Sequence, residues 1–317
     1  MNINYIEAWN MLNSMDNILL ITHSNPDGDA VGSIFALYGI LKKLGKNVRC
    51  EIKDIPAVMQ MLVREDAFCD FREDFVVSVD LADPQLMMND IKARYSDKVD
   101  LSIDHHETNV TYAKNTLLKA DAAAACEVIF NMVSEAGFEI DTEIARCLYV
   151  GLATDTGCFR YANTTASALR AAASLIEKGV ESAKINTDIF ETKSRAYVMF
   201  ETMAMNSLRT YLDGKCAVLL ITKDMYTKAN ITESESQGIN ALPRQIEGVL
   251  AGVTVKERTN GTYKISIRSR EPLNASEICA LMGGGGHRLA AGCELSGTAQ
   301  SVINTVVKFV EQAIDEL

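Results

Sequence analysis

The chain has 317 residues, of which 48% are hydrophobic and 23% are charged, a composition typical of a globular protein long enough for two domains. A net charge of −11 argues against a protein that grips long nucleic acid and favours a small substrate held locally. We expect a soluble cytoplasmic protein without signal peptide or membrane span, because no long apolar stretch occurs. The eight cysteines form no C-x-x-C pair, which indicates free thiols.

The first part of the chain alternates short apolar runs with longer amphipathic stretches. We predict strands over 17–22, 48–52, 75–79 and 99–103, and helices over 30–44, 126–136, 142–153 and 165–178. Asp29 is a candidate cap of the first of these helices, and Asn163 or Thr164 of the last. The alternation predicts an α/β fold in which residues 1–185 form a parallel sheet with helices on both faces.

The remaining residues predict a second, smaller α/β domain. The pattern is helical over 182–212, and we expect residues 186–212 to connect the domains and 213–317 to form the second one. A strand is predicted over 216–222, and strands over 248–257 and 262–269 are joined by Asn260-Gly261, a hairpin signal. Helices are predicted over 274–282 and 299–317.

The histidines are few and unusually placed. All four lie near the end of a predicted element: His105, His106 and His287 are beside glycine, aspartate or another histidine, and His23 is followed closely by Asp27. His23 follows the first strand, and Asp27 and Asp29 come next in a loop shaped by Pro26 and Gly28. An ordinary turn explains the proline and the glycine but not the histidine or the second carboxylate. The group therefore favours a metal site at the carboxyl end of a strand.

Two more strands end in residues with the same chemistry. Asp80 closes the apolar run 75–79, and His105 and His106 follow Asp104 at the end of the next run. In an extended segment adjacent side chains point to opposite sides, so we expect the two imidazoles to have different roles. Asp155 lies at the C-terminal end of a predicted helix, where the dipole disfavours a carboxylate and a nearby cation would compensate. Alone, Asp80 and Asp155 are weak signals, because aspartates often cap turns.

Together these residues offer a mixed set of imidazole and carboxylate ligands: His23, Asp27, Asp29, Asp80, His105 and Asp155. Such a set suits Mn²⁺, with Mg²⁺ and Fe²⁺ as alternatives. Two divalent ions would balance the four aspartates and would share one carboxylate. Phosphates of a substrate would then need positive partners elsewhere.

The second domain offers such partners. Four glycines, 283–286, precede His287 and Arg288, and glycine backbone N–H groups can converge on an anion. The alternative for this run is a flexible loop. Arg268 and Arg270 are predicted on one face of a strand, where a solvated surface is an equal alternative.

At this point the residues resemble a known family. The segments HSNPDGDAVGS, VSVD, DHH and TDTG, in this order, are similar to the four motifs of the DHH phosphoesterases, and GGGGHRLAAG resembles the DHH-associated C-terminal domain. The resemblance covers almost the whole chain and is strongest to bacterial nanoRNases, which also dephosphorylate 3′-phosphoadenosine-5′-phosphate (pAp). It implies a metal-dependent hydrolase with exonuclease activity on short RNA.

The resemblance also implies roles for individual residues. His23 and Asp27 would bind one metal, Asp29, His105 and Asp155 the other, and Asp80 would bridge them. His106 would face the scissile phosphate and act in catalysis with Asp80. A further group would hold the terminal nucleotide: Arg268, Gly284, Gly285, Gly286 and His287.

Several alternatives stay open at the level of sequence. The same motifs occur in cyclic di-AMP and pApA phosphodiesterases and in RecJ-type exonucleases, so the preferred substrate and the polarity of cleavage are not fixed. A family II-type pyrophosphatase fits the glycine run less well. A catalytically idle nucleotide or metal sensor is the alternative from another class. We expect short RNA or small nucleotides as partners, no long nucleic acid and no membrane, with a homodimer as one alternative for the assembly.

Overall fold

A parallel sheet forms the centre of the first unit, Met1–Thr192, of this computed structural model, which describes residues 1–258 and 260–317. The strands are β1 (Ile18–Ile21), β2 (Val48–Glu51), β3 (Phe75–Val79), β4 (Leu101–Asp104) and β5 (Asn115–Leu118), in the order β2-β1-β3-β4-β5. The four predicted strands are confirmed, whereas β5 was not predicted. All pairings are parallel, which explains why the strands are apolar runs and not alternating patterns.

Helices cover both faces of this sheet, as predicted. They are α1 (Tyr5–Ser14), α2 (Gly28–Lys43), α3 (Asn89–Tyr95), α4 (Ala125–Glu135), α5 (Thr142–Asp155), α6 (Ala166–Glu177) and α7 (Ser182–Asn186), followed by a π-helical turn, Thr187–Glu191. Leu20 packs in the core that includes α2, α4 and α5, whereas Leu19 and Ile21 pack with α3 on the other side. Successive residues of β1 therefore serve two cores.

Two predicted helix caps were wrong. The side chain of Asp27, not that of Asp29, caps α2 by accepting hydrogen bonds from the N–H groups of Asp29 and Ala30. Thr165, not Asn163 or Thr164, caps α6. Asp29 and Asn163 instead form hydrogen bonds with residues far away in the chain, which local pattern does not reveal.

Helices α2 and α5 approach each other closely because glycines lie at their crossing. A β-carbon on Gly32 would lie 2.5 Å from the carbonyl oxygen of Cys147 in α5. A β-carbon on Gly151 would lie 2.7 Å from Oδ1 of Asp29 in α2. Both distances are shorter than real contacts allow, so only glycine permits this packing. The crossing brings Asp29 near the C-terminal end of α5.

The second unit, Lys193–Leu317, is built on a mixed sheet in the order β10-β11-β9-β8-β7-β6. Its strands are β6 (Arg209–Tyr211), β7 (Cys216–Ile221), β8 (Ala251–Glu257), β9 (Thr262–Ser269), β10 (Gly285–His287) and β11 (Ala290–Ser296). Its helices are α8 (Arg195–Asn206), α9 (Lys223–Ala229), α10 (Ala275–Ala280) and α11 (Ala299–Asp315), with 3₁₀ turns at Ser234–Ala241 and Pro243–Gln245. The predicted segment 182–212 is therefore helical except at 192–194, between the two units, and at its end, where β6 forms.

The pairing of β8 with β9 shows which of their residues lie on each face of this sheet. Glu257 lies opposite Tyr263, and Gly261 has a positive φ of 81°, as the predicted turn requires. Val253, Val255, Ile265 and Ile267 enter the core with α10 and α11. Residues 252, 254, 256, 264, 266 and 268 alternate with them and therefore lie on the opposite face. Among the helices of the described chain, none combines the length and hydropathy that crossing a bilayer requires.

Candidate metal centre and substrate groove

The polar residues of the first unit meet where three neighbouring strands end. His23 follows β1, Asp80 follows β3, and His105 follows β4. These strands are adjacent in the sheet, and the chain reverses its strand order between β1 and β3. Carboxyl ends at such a switch point form a crevice. Asp155, the last residue of α5, reaches the same place, since its Oδ2 lies 3.4 Å from His105 Nε2.

Two imidazoles are held by backbone carbonyl groups. His23 Nδ1 lies 2.9 Å from the carbonyl oxygen of Ser24, and His105 Nδ1 lies 3.3 Å from that of Ala122. With Nδ1 occupied, each ring turns Nε2 toward the carboxylates: His23 Nε2 is 3.7 Å from Asp80 Oδ2, and His105 Nε2 is 3.5 Å from Asp80 Oδ1. A histidine that ligates a metal is oriented in the same way.

Asp80 lies at the centre of the cluster. It is 2% exposed, and its φ of 51° places it in the left-handed region, which is rare for a residue with a side chain. Its Oδ1 is buried and accepts no hydrogen bond from the residues that the structure describes, although His105 Nε2 and His106 Nδ1 are each 3.5 Å away. A strained, buried carboxylate with an unused oxygen is expected where a ligand supplies the missing contact.

The donor atoms fall into three overlapping groups in which all atoms lie within 4.8 Å of one another. The groups are His23, Asp27 and Asp80; Asp29, His105 and Asp155; and Asp80, His105 and His106. The fold thus brings together the six residues named from the sequence, with His106 beside them. Asp29 is fully buried, and its oxygens also accept hydrogen bonds from the N–H groups of Ala125 and Cys126 at the start of α4.

Crowding of like charges shifts the pKa values of these carboxylates in different directions. Burial, together with Asp80, raises the pKa of Asp29 well above its usual range. Burial also raises the pKa of Asp155 to about 7, against the opposing charge of His105. Burial acts on Asp80 in the same sense, but His105 and His23 outweigh it and hold the pKa of Asp80 well below its usual range. Without a bound cation, the cluster is thus short of positive charge.

The histidines respond to the same charges. Burial opposes protonation of His23, but the carboxylate of Asp80 outweighs it and raises the pKa of His23 to about 9. Burial likewise opposes protonation of His105, and Asp80 and Asp29 raise its pKa to about 10. In the absence of metal these imidazoles are therefore protonated at neutral pH and take the place of a cation.

His106 is held differently from its neighbour. Its Nδ1 lies 2.8 Å from Asp104 Oδ1, and Asn109 Nδ2 donates to the other oxygen of Asp104 at 2.5 Å. The rings of His105 and His106 lie on the same side, with centroids 4.4 Å apart. The prediction that they point to opposite sides was wrong, because β4 ends at Asp104 and the chain then turns. The supporting roles of Asp104 and Asn109 were missed, although the sequence places both beside the histidines.

The second unit contains a groove of about 660 Å³ on the face of its sheet that lies opposite to α10 and α11. Of the predicted substrate-binding residues, Arg268, Gly285 and Gly286 line it, whereas Gly284 and His287 do not. Lys256 and Lys264, which the sequence did not single out, also line it. Arg270 turns its guanidinium to the carbonyl oxygen of Arg244.

The glycine run is not a flexible loop. Gly285–His287 forms β10 and pairs with β11, and the N–H of Gly284 donates to the carbonyl oxygen of Cys279. A β-carbon on Gly284 would lie 2.2 Å from the carbonyl oxygen of Gly292, so close packing explains this glycine. His287 is exposed at the end of β10. Arg288 pairs with Glu271 through two hydrogen bonds.

Comparison with known proteins accounts for both units. The family model described as "DHH family, N-terminal domain" matches residues 17–152, and the model of the DHHA1 domain matches residues 213–316. A protein named bifunctional oligoribonuclease and PAP phosphatase from Thermus thermophilus is 33% identical over 285 residues, which cover 88% of this chain and 84% of that protein. The chain belongs to the DHH family. The predicted resemblance is confirmed, and the chain is a DHH-family phosphoesterase.

Solved structures show the same fold. A chain described as an exopolyphosphatase-related protein from Bacteroides fragilis superposes with a TM-score of 0.84 at 23% identity, over 98% of this chain and 96% of that one. The exonuclease RecJ from Thermus thermophilus, solved in complex with Mn²⁺, gives a TM-score of 0.56 at 18% identity, over 99% of this chain and 55% of that one. The predicted α/β fold class is therefore confirmed.

The donor set of this DHH protein suits divalent cations. Aspartate oxygens and histidine nitrogens are the ligands that Mn²⁺, Fe²⁺ and, for the oxygens, Mg²⁺ accept. The unused oxygen of Asp80, the raised pKa values of Asp29 and Asp155 and the two oriented Nε2 atoms all indicate that positive charge is missing at this point. The cluster is a candidate site for divalent metal ions.

Proposed function

We propose that this phosphoesterase degrades short oligoribonucleotides to mononucleotides and removes a phosphate from pAp, with two divalent metal ions, most suitably Mn²⁺. The observation that carries the proposal is the position of Asp80 between the two proposed sites: its Oδ2 lies 3.7 Å from Nε2 of His23, and its Oδ1 lies 3.5 Å from Nε2 of His105. The names of the relatives support the substrate class. Two ions bound there would activate water and neutralise charge on the phosphate.

The residues of this chain would have distinct tasks in that reaction. His23 and Asp27 would hold one ion, and Asp29, His105 and Asp155 would hold the other. Asp80 would contact both, because it is grouped with His23 and Asp27 and its Oδ1 lies 3.5 Å from Nε2 of His105. His106 would face the reacting phosphate, because Asp104 occupies its Nδ1 and leaves Nε2 for the substrate. As a donor at this position it would stabilise the charge that develops on phosphate oxygens.

The second unit would hold the end of the substrate. Arg268 and the glycines 285–286 line its groove, and Gly284 and His287 lie beside them in the chain. The net charge of −11 supports small substrates, because an acidic surface repels long polyanions. A protein that reads only a few nucleotides needs local cations and no extended basic face.

The decisive experiment compares turnover of pAp, RNA dimers to pentamers, pApA and cyclic di-AMP in Mn²⁺. We expect turnover of pAp and of the short RNAs to mononucleotides, and loss of at least about a thousandfold in kcat for Asp80→Asn, since metal ions supply several kcal/mol of charge stabilisation. Asp90→Asn is the matched control, because Asp90 lies in the same unit but pairs with Lys53 on the surface.

The outcomes separate the alternatives. Exclusive turnover of cyclic di-AMP or pApA would favour the cyclic-dinucleotide branch of the family. Tight binding of nucleotide without turnover of any substrate in Mn²⁺ would instead support the sensor. Wild-type activity of Asp80→Asn would refute the assignment of the centre.

A further inference from the structure

Lys256 occupies a position that the fold does not explain. It lies in β8 on the groove face of the second unit and is 4% exposed. Its ammonium forms no ion pair or hydrogen bond with the side chains that the structure describes. Lysines are almost never this buried without a partner.

The surroundings of Lys256 add positive charge. Lys264 of β9 is paired directly with Lys256 of β8, and both side chains line the groove. Like charges that face each other across two strands are destabilising. Arg268 also lines the groove, and it follows Ser266 on the same face of β9. The carboxylate of Glu233 also lines the groove, but it accepts a hydrogen bond from Arg258 at 2.6 Å.

The electrostatics agree with this geometry. Burial lowers the pKa of Lys256 to about 8; Lys264, Arg258 and Arg268 act in the same direction, whereas Glu233 opposes them. A second polar group of the groove is also unsatisfied, since Oδ1 of Asn240 is buried and accepts no hydrogen bond from the described residues. The groove therefore contains unused hydrogen-bonding capacity and an excess of positive charge.

We infer that Lys256, with Lys264 and Arg268, forms a subsite for the terminal phosphate of a nucleotide. This inference rests on the proposed function, and it specifies which substrates the groove selects: those that end in a phosphate monoester. A dianionic phosphate supplies the charge and the acceptor oxygens that the ammonium lacks. Ser266 lies between the cations on the same face and offers a hydroxyl group to the same ligand.

A binding experiment on the full chain in chelator tests this inference without turnover. Wild-type protein is titrated with pApA and with ApA, which differ only in the terminal phosphate. We expect pApA to bind about ten- to a hundredfold more tightly, the range of a charge-assisted contact. In Lys256→Met the affinity for pApA falls by about tenfold or more and that for ApA is unchanged.

Two controls make the result specific. Lys308→Met removes a lysine from the exposed face of α11 in the same unit, and it should leave both affinities unchanged. Inorganic phosphate should compete with pApA in the wild type and not in Lys256→Met, which separates recognition of phosphate from recognition of the nucleoside.

Thermal unfolding distinguishes a binding role from a structural one. Because methionine removes a buried, unpaired charge, Lys256→Met should unfold at the same or a higher temperature than the wild type. A lower midpoint, or an equal loss of affinity for pApA and ApA, would overturn the inference. Mn²⁺-dependent turnover of pAp by the wild type is measured separately, so that a failure of the subsite and a failure of the proposed function give different results.

Discussion

His106 donates from Nδ1 to Oδ1 of Asp104 across 2.8 Å, and this contact fixes which ring nitrogen is left for a ligand. Asp104 is fully buried, and it also accepts hydrogen bonds from the N–H of His105 and from Asn109. The carboxylate thus orients the loop and the imidazole together. Asp104 is a positioning residue, whereas His106 is the residue expected to touch substrate.

We predict that His106→Asn lowers kcat by about a hundredfold, since loss of one donor to developing charge has effects of that size. Asp104→Asn should lower kcat by about ten- to a hundredfold, the range for residues that orient active groups, with little change in KM. Steady-state kinetics on pAp measures both. Asp83→Asn is the control, because Asp83 caps the 3₁₀ turn Pro84–Leu86, which follows the neighbouring strand β3. An unchanged kcat in Asp104→Asn would contradict the positioning role.

The stability of metal-free protein should fall as pH rises from 6.5 to 8. The pKa values of His23 and His105 are raised to about 9 and about 10, so protonation stabilises the folded state fully below the ordinary value of 6.5, and this contribution is lost as pH rises through the folded values. The pKa of Lys256, lowered to about 8, has the opposite sign but acts mainly above this window. Thermal unfolding in chelator measures the effect.

Mn²⁺ should abolish or reverse that pH dependence. Ligation requires neutral imidazoles, so binding releases protons and becomes tighter as pH rises over the same window. Titration calorimetry at pH 7 in two buffers of different ionisation enthalpy detects the released protons. A heat of binding that is independent of the buffer would show that the histidines are not ligands.

Asp155→Asn should stabilise the metal-free protein while it weakens metal binding. The pKa of Asp155 is raised to about 7 by burial and by the neighbouring carboxylates, so its charge opposes folding at pH 8. Removal of the charge should raise the unfolding midpoint in chelator by a few degrees, since about 1 kcal/mol corresponds to about 2–4 °C in a chain of this size. The gain in midpoint on addition of Mn²⁺ should become smaller than in the wild type. A lower midpoint in chelator would contradict the crowding of charge.

Gly157→Ala should destabilise the protein more than Gly137→Ala does. Both glycines have positive φ values, 56° and 69°, which cost alanine about 1 kcal/mol. A β-carbon on Gly157 would also lie 2.3 Å from the Tyr161 ring, whereas one on Gly137 has nothing within 4 Å. The difference between the two midpoints in denaturant isolates the clash. Because Gly157 lies two residues after Asp155, Gly157→Ala should also lower activity, and equal destabilisation would refute the steric argument.

The sequence was most informative where buried strands end. The apolar runs of β1, β3 and β4 identify strands by composition, and parallel pairing then requires that His23, Asp80 and His105 lie at one edge. β5 was missed because its four residues, NTLL, carry too short a pattern. Its pairing with β4 depends on tertiary contact, which no local period records.

The sequence could not predict roles that depend on contacts between distant parts of the chain. Asp29 caps α4, about a hundred residues away, and Asn163 donates to the carbonyl groups of Ala123 and Asp155; both had been predicted as local helix caps. Lys256 has an unremarkable sequence context, since a lysine in a strand is normally solvated. Its burial follows from how the 3₁₀ segment Ser234–Ala241 and the hairpin come together, which is visible only in the fold.

The glycines at the crossing of α2 and α5 determine the distance between the carboxylates of Asp29 and Asp155, and the packing of aliphatic side chains does not control that distance. Asp29 lies just before Gly32 on α2, and Asp155 lies one turn after Gly151 on α5. The main-chain contact at these glycines therefore determines how far apart the two carboxylates are. Exchanges among aliphatic residues elsewhere in the interior leave that spacing intact. The size of the ion that we propose for this pair therefore depends on the peptide backbone, and the selectivity for it should persist in variants whose interiors have been extensively rebuilt.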